Sequence, residues 1–283
     1  MTNPLTTSTR AFRRRGHALA FLLAVAGLAI VSLSPVQSAA GGQRGAKPTI
    51  VLVHGSWADG SSWNRVTERL RDDGYTVRAI PNPLRSVSGD AASVRAFLES
   101  LTGPVVLVGH SYGGFVTTNA ATGLPNVKAL VYINSFAPEA GETPFQLVGP
   151  DSALAVDPAT VFDLVPADQP PGPDSEVYLK RSTVFTSFAT GLPTDDKELV
   201  YAAQRPGALG ALNEPSGTPA WKTIPSWSLI GNADQIIPAK EQRAMFQRAG
   251  ATITEYEAGH LGLMTAPGTV TRVIEQAARA VSR

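Results

Sequence analysis

Gly109-His110-Ser111-Tyr112-Gly113 sets a hydroxyl between two glycines, directly after the apolar run Pro104-Val-Val-Leu-Val108 and before a helical pattern. That spacing suits a sharp strand-to-helix reversal that leaves the serine side chain exposed at the carboxyl end of a sheet. Such a turn is strained at the serine, and bulk at the flanking positions would meet the neighbouring backbone. Gly109 and Gly113 remove the bulk, and Gly114 lets the following helix pack closely. A Gly-rich turn carrying an idle serine is the alternative, and the flanking strand and helix argue against it.

A serine hydroxyl is a poor nucleophile at neutral pH and needs an adjacent base. The chain has four histidines. His17 falls in a leader-like segment, His110 neighbours Ser111 in a turn where consecutive side chains diverge, and His54 shapes the loop after the first strand. His260, in Ala258-Gly-His-Leu-Gly262 just after the last strand, is left as the base. Its imidazole needs a carboxylate on the far side to hold one tautomer and balance the developing charge. Asp234, in Gly231-Asn-Ala-Asp234, lies just beyond the preceding strand and gives the chain order Ser…Asp…His. Asp195, Asp196 and Glu198 read instead as a solvated helix start. An oxyanion needs preorganised donors, worth roughly 3 kcal/mol each; the backbone N–H groups of Ser56 and Tyr112 can supply them. The implied chemistry is acyl transfer to water through an acyl-enzyme on Ser111. It calls for no cofactor and no metal, and the absence of cysteine excludes a thiolate nucleophile or a Cys-based zinc site.

These side chains need a scaffold that brings strand ends together. From Lys47 onward, short β-branched runs alternate with helical patterns, the signature of a mostly parallel sheet covered by helices. Strands are expected at Thr49–Val53, Thr76–Ile80, Val105–Val108, Val127–Ile133, Ser226–Ile230 and Thr252–Tyr256, about six in all. Helices are expected from Ser61 to Gly74, from an Asp90 N-cap onward, from the serine turn to Ala121, over Ala239–Ala249 and over Val270–Val281. The interval from roughly 137 to 224 breaks the rhythm. It is rich in Pro and Gly with scattered helical stretches, and reads as an inserted helical cap.

Charged residues at 17% and hydrophobic ones at 43% describe an ordinary globular chain. Arg10, Arg13, Arg14 and Arg15 precede a sixteen-residue apolar stretch, Ala18–Leu33, which Pro35 ends. Small residues follow, so residues 1–40 read as a secretory signal cleaved after Ser38 or Ala40, leaving a domain over 41–283 that is secreted or periplasmic. The apolar stretch is short for a membrane span, and no stable membrane anchor is expected after its removal. Without those four arginines, 20 basic residues face 23 acidic ones. With no basic patch, nucleic acid is not an expected partner. Oligomeric state is not legible.

Val51-Leu-Val-His-Gly-Ser-Trp-Ala-Asp-Gly-Ser-Ser-Trp63, Val108-Gly-His-Ser-Tyr-Gly-Gly114 and Ile230-Gly-Asn-Ala-Asp-Gln-Ile-Ile-Pro238 resemble the α/β-hydrolase superfamily over the chain from about Pro48. The branch resembled includes plant methylesterases, hydroxynitrile lyases and bacterial esterases such as pyrethroid hydrolases. The resemblance implies the α/β-hydrolase fold, carries the triad onto Ser111, Asp234 and His260, and carries the oxyanion hole onto the backbone of Ser56 and Tyr112. Relatives with an aspartate nucleophile are disfavoured by Ser111. The lyases of the branch carry a lysine after the catalytic histidine, where this chain has Leu261. Trp57, Phe136, Phe145, Phe162, Phe185 and Tyr201 are candidates for an apolar pocket, and no Arg or Lys marks an anion site. A small, neutral, largely apolar ester is therefore the expected substrate. A non-catalytic small-molecule-binding protein on the same scaffold, a C–C or amide hydrolase, and a perhydrolase are the competing readings.

Overall fold

Near-continuous β-branched runs leave no polar face for solvent, so their strands must lie inside a sheet covered on both sides. The structure, a computed structural model, describes residues 47–282; the expected signal segment and its cleavage sites lie outside the described residues. Within that range the chain runs β1 (Thr49–Val53), α1 (Asn64–Asp72), β2 (Val77–Ile80), α2 (Val87–Glu99), β3 (Val105–Ser111), α3 (Gly113–Ala120) and β4 (Val127–Ser135). After an insertion come β8 (Ser226–Gly231), α5 (Ala239–Arg248), β9 (Thr252–Tyr256) and α6 (Pro267–Val281). The six strands form one parallel sheet in the order β2-β1-β3-β4-β8-β9, flanked by helices. β3 is buried at every position, whereas edge strands β2 and β9 are partly exposed.

The strand order reverses between β1 and β3, because β2 lies to one side of β1 and all later strands to the other. Loops leaving the carboxyl ends of β1 and β3 therefore diverge and open a crevice where ligands commonly bind in such sheets. His54–Trp57 and Ser111–Tyr112 both fall at that reversal.

Two expectations are corrected. Helix α2 starts at Val87, one turn earlier than an Asp90 cap implies, and Ser86 is its N-cap. Ser86 has the extended backbone a cap requires (φ −162°, ψ 150°), and its Oγ accepts from Gly89 N at 3.0 Å. Asp90 turns inward, accepting from Arg85 N (3.0 Å) and the Tyr112 hydroxyl (2.9 Å). The insertion between β4 and β8 is also not purely helical. It holds an antiparallel sheet of β5 (Phe162–Val165), β6 (Glu176–Leu179) and β7 (Gly207–Ala208), with α4 (Thr194–Ala202) and several single turns. Strands of four, four and two residues are too short to show an alternating pattern in sequence.

The insertion is tied to the loops at the sheet's carboxyl edge. Trp57 N donates to Arg205 O (3.1 Å) and Trp57 Nε1 to Val177 O (2.8 Å). Ala208 N donates to Leu84 O (2.8 Å), and Glu214 accepts from the Val87 and Ser88 amides at the start of α2. No described helix is long and apolar enough to cross a membrane.

Candidate active site

Ser111 ends β3 with φ 53°, a left-handed conformation rarely adopted by residues other than glycine, Asn and Asp. The turn that imposes it exists because its flanks lack side chains. A Cβ at position 109 would lie 2.7 Å from Gly113 O, and one at 113 would lie 2.5 Å from Val53 O. The β1 loop closes over the serine in the same way, since a Cβ at position 55 would sit 2.6 Å from Ser111 Cβ. Ser56 follows directly, and Ser56, Trp57, Ser111 and Tyr112 face one cavity. Ser111 keeps only 4% of its surface exposed.

His260 is fully buried on the loop after β9, and its Nδ1 lies 3.0 Å from Asp234 Oδ2 and 3.1 Å from Oδ1. A carboxylate only accepts, so Nδ1 carries a proton, and in the neutral ring Nε2 is the nitrogen with the lone pair. Nε2 is buried and makes no hydrogen bond, including none to Ser111 Oγ. Asp234 is held by four further donors. Ile236 N (2.9 Å) and Ile237 N (3.0 Å) reach Oδ1, and Gln242 Nε2 (2.9 Å) and Asn134 Nδ2 (3.1 Å) reach Oδ2. A carboxylate so satisfied cannot swing away from the imidazole.

The other two histidines are otherwise engaged. His54 Nε2 accepts from Asn82 N at 2.9 Å, which puts its proton on Nδ1, where it donates to Gly55 O (2.9 Å). Burial pushes His54 down to about 4, so it is neutral and shapes the β1 loop. His110 Nε2 donates to His260 O at 3.0 Å, and the two rings lie 4.8 Å apart. Burial, reinforced by the neighbouring His260, holds His110 well below the usual imidazole range.

Beside Ser111 lies a narrow apolar cavity of about 20 Å³. Of the six aromatic candidates, Trp57, Phe136 and Phe145 line it. Phe162 does not reach it but packs behind, stacked on Trp57 at 5.8 Å and 6.5 Å from Phe145. Phe185 lies elsewhere, its ring beneath the Arg181 guanidinium at 4.0 Å, and half-buried Tyr201 on α4 is also outside the lining. The remaining wall comes from Pro144, Val148, Leu154 and Leu212 of the insertion and Ile236 of the loop after β8. These aliphatic residues carry no sequence signal that separates a cavity wall from a core. Phe188, also missed, packs 5.3 Å from the His260 ring and edge-on to Trp57 at 6.0 Å. Among the described residues, no group of three or more His, Cys, Asp or Glu could hold a metal ion.

Residues 50–273 match the family described as the Alpha/beta hydrolase family. Among characterised proteins, the chain is similar to the carbendazim hydrolyzing esterase of Nocardioides sp., 32% identical over 106 residues. That match spans 33% of this chain and only 44% of the enzyme. It is also similar to methylesterase 10 of Arabidopsis thaliana, 25% identical over 255 residues, which cover 81% of this chain and 90% of that one. Among solved structures, polyneuridine aldehyde esterase superposes with a TM-score of 0.70 at 20% identity, covering 81% of this chain and 98% of that one. At that identity the superposition speaks for the fold.

Proposed function

Since the chain belongs to the alpha/beta hydrolase family, we propose that it cleaves a small, largely apolar carboxylic ester through an acyl-enzyme on Ser111. The observation that carries this reading is the state of His260. Asp234 fixes its Nδ1 proton, which leaves Nε2 as the basic nitrogen of the neutral ring, buried and without a protein hydrogen-bond partner. In the proposed reaction His260 Nε2 takes the Ser111 hydroxyl proton as Oγ attacks the ester carbonyl carbon. The resulting oxyanion accepts from the backbone N–H groups of Ser56 and Tyr112. Collapse breaks the bond to the alcohol oxygen, which leaves with the proton held by His260. Water then repeats the sequence and frees the acid. Ser111 Oγ and His260 Nε2 come into hydrogen bond when substrate fills the site; such bonds are commonly long or absent in empty enzymes.

The apolar cavity beside Ser111 supports an uncharged acyl group, as it presents no side-chain cation to a second carboxylate. The esterases among the relatives support the same class of bond. The test is kinetic. Ser111→Ala and His260→Ala should each lower kcat for short-chain p-nitrophenyl esters by roughly a thousandfold or more, and the double variant should lose little beyond that. A fluorophosphonate probe should label the wild type and leave Ser111→Ala unlabelled. Equal labelling of both, or losses that multiply in the double variant, would overturn the assignment.

A further inference from the structure

Asn134 is the second residue from the end of β4 and falls at a break in its register with β3. The parallel register runs His110 opposite Ile133 and then Ser111 opposite Ser135, so Asn134 is skipped as a bulge. Its backbone is left-handed, with φ 44°, a conformation Asn tolerates better than most side chains. A bulge re-aims a side chain that the strand would otherwise point above or below the sheet. Here the re-aimed amide is fully buried and lies among the residues that fix Asp234 and His260.

Its orientation is forced by its partners. Nδ2 lies 3.1 Å from Asp234 Oδ2 and 3.2 Å from Gly259 O, and both of those atoms only accept. Oδ1 therefore faces the Tyr256 hydroxyl, which donates to it at 2.5 Å. Two glycines make room for the arrangement. A Cβ at position 231 would lie 2.3 Å from Asn134 Nδ2, and one at 262 would lie 1.7 Å from the Tyr256 oxygen. Gln242, the other side-chain amide donating to Asp234, spends its second bond on Ile237 O. Among the described residues, Asn134 alone of these two also bonds to the loop carrying His260.

We propose that Asn134 is a positioning residue, whose amide clamps the Asp234 carboxylate to the residue before His260 and so keeps the carboxylate and imidazole in register for turnover. This rests on the assignment of Asp234 and His260 made above. The two loops also share backbone bonds from Asn232 N to Tyr256 O (2.9 Å) and Ala233 N to Ala258 O (3.1 Å). Loss of the amide thus loosens the carboxylate without releasing the loops. Errors of about an ångström in a reacting geometry cost on the order of a hundredfold in rate.

Asn134→Gly is the clean variant, since glycine keeps the left-handed backbone at no steric cost and removes only the amide. It should lower kcat roughly 10–100-fold with KM changed less than about threefold, and slow fluorophosphonate labelling in parallel. In an Asp234→Ala background the same substitution should change the labelling rate less than about threefold, because the group it acts through is gone. Asn134→Asp, of equal size and equal backbone tolerance, turns the donor into an acceptor facing a carboxylate and should lose at least as much turnover. A merely structural role predicts the opposite ranking and equal losses in both backgrounds; either result overturns the proposal, as does an unchanged kcat. If the glycine variant does not fold, Tyr256→Phe frees Oδ1 from the edge strand and should lower kcat roughly 3–10-fold, again only when Asp234 is present. Wild-type turnover by Asp234→Ala alone would instead sink the triad, a distinguishable failure.

Discussion

At the scale of residues, three histidines crowd the carboxyl edge of the sheet, and hydrogen bonding gives each a different task. His54 fixes a loop, His110 holds the backbone of His260, and His260 is left with a ring nitrogen that has no protein partner, on the loop bonded to His110 of the serine turn. The first two have a consequence for stability. The folded chain holds His54 down at about 4 by burial, whereas an unfolded chain takes up the proton near the ordinary value of 6.5. Between those values the unfolded state binds more protons, so the stabilisation is complete above about pH 6.5 and is lost as pH falls towards 4. The shift corresponds to about 3 kcal/mol, to which His110, shifted the same way, adds. Urea midpoints measured from pH 7.5 to 4 should fall across that window, and His54→Gln should flatten part of the fall. A midpoint independent of pH in both proteins would contradict it. The nucleophile, base and acid candidates were legible because each ends or follows a strand in a chain with few histidines. Asn134 and Gln242 were not, since an Asn near a strand end and a Gln within a helix look ordinary until their partners are known. Phe185 and Tyr201 were placed near the cavity on residue type alone, and type does not say which way a short helical turn faces.

At the scale of elements, the serine turn works because β3 and α3 approach their neighbours without side chains in between. Gly114 is the tightest case. A Cβ there would lie 2.1 Å from Ser135 Oγ and 2.2 Å from Phe136 O, so an added methyl must push α3 away from the end of β4. Ser135 Oγ also donates to Ser111 O at 2.9 Å, and the displacement would pass directly to the proposed nucleophile. Gly114→Ala should therefore cost about 1–3 kcal/mol in thermal or urea unfolding and reduce turnover out of proportion to the folded fraction. Gly172→Ala, where nothing lies within 4 Å, should stay within about 0.5 kcal/mol of the wild type. Equal stability of the two variants would show that the turn relaxes easily. The parallel strands were readable because burial on both faces demands apolar runs, which single sequences display plainly. The insertion's small sheet was not, because pairing between β5, β6 and β7 depends on a partner rather than on any run of its own.

At the scale of the whole molecule, the cavity exists only because sheet and insertion meet. Phe136 and Ile236 sit near the ends of sheet strands, while Pro144, Phe145, Val148, Leu154 and Leu212 are supplied from above. The family fold thus positions the strand-end loops, and the insertion, held down through Trp57 and Glu214, supplies most of the cavity wall; in the proposed reaction it would set how large an acyl group fits. Leu212 tests this division, being 5% exposed and remote in sequence from every group proposed to react. Leu212→Ala removes three carbons from the wall. Each accommodated methylene is worth on the order of 1–3 kcal/mol in discrimination, so for the two extra methylenes of p-nitrophenyl hexanoate the ratio of its kcat/KM to that of butyrate should rise roughly thirtyfold or more. Butyrate turnover itself should change little, because the sheet-borne groups are untouched. Leu199→Ala, on the exposed side of α4 and outside this cavity, is the control and should leave the ratio where it was. A folded Leu212→Ala enzyme with the wild-type ratio would mean that the acyl group lies elsewhere, and that the insertion covers the site without measuring what enters it.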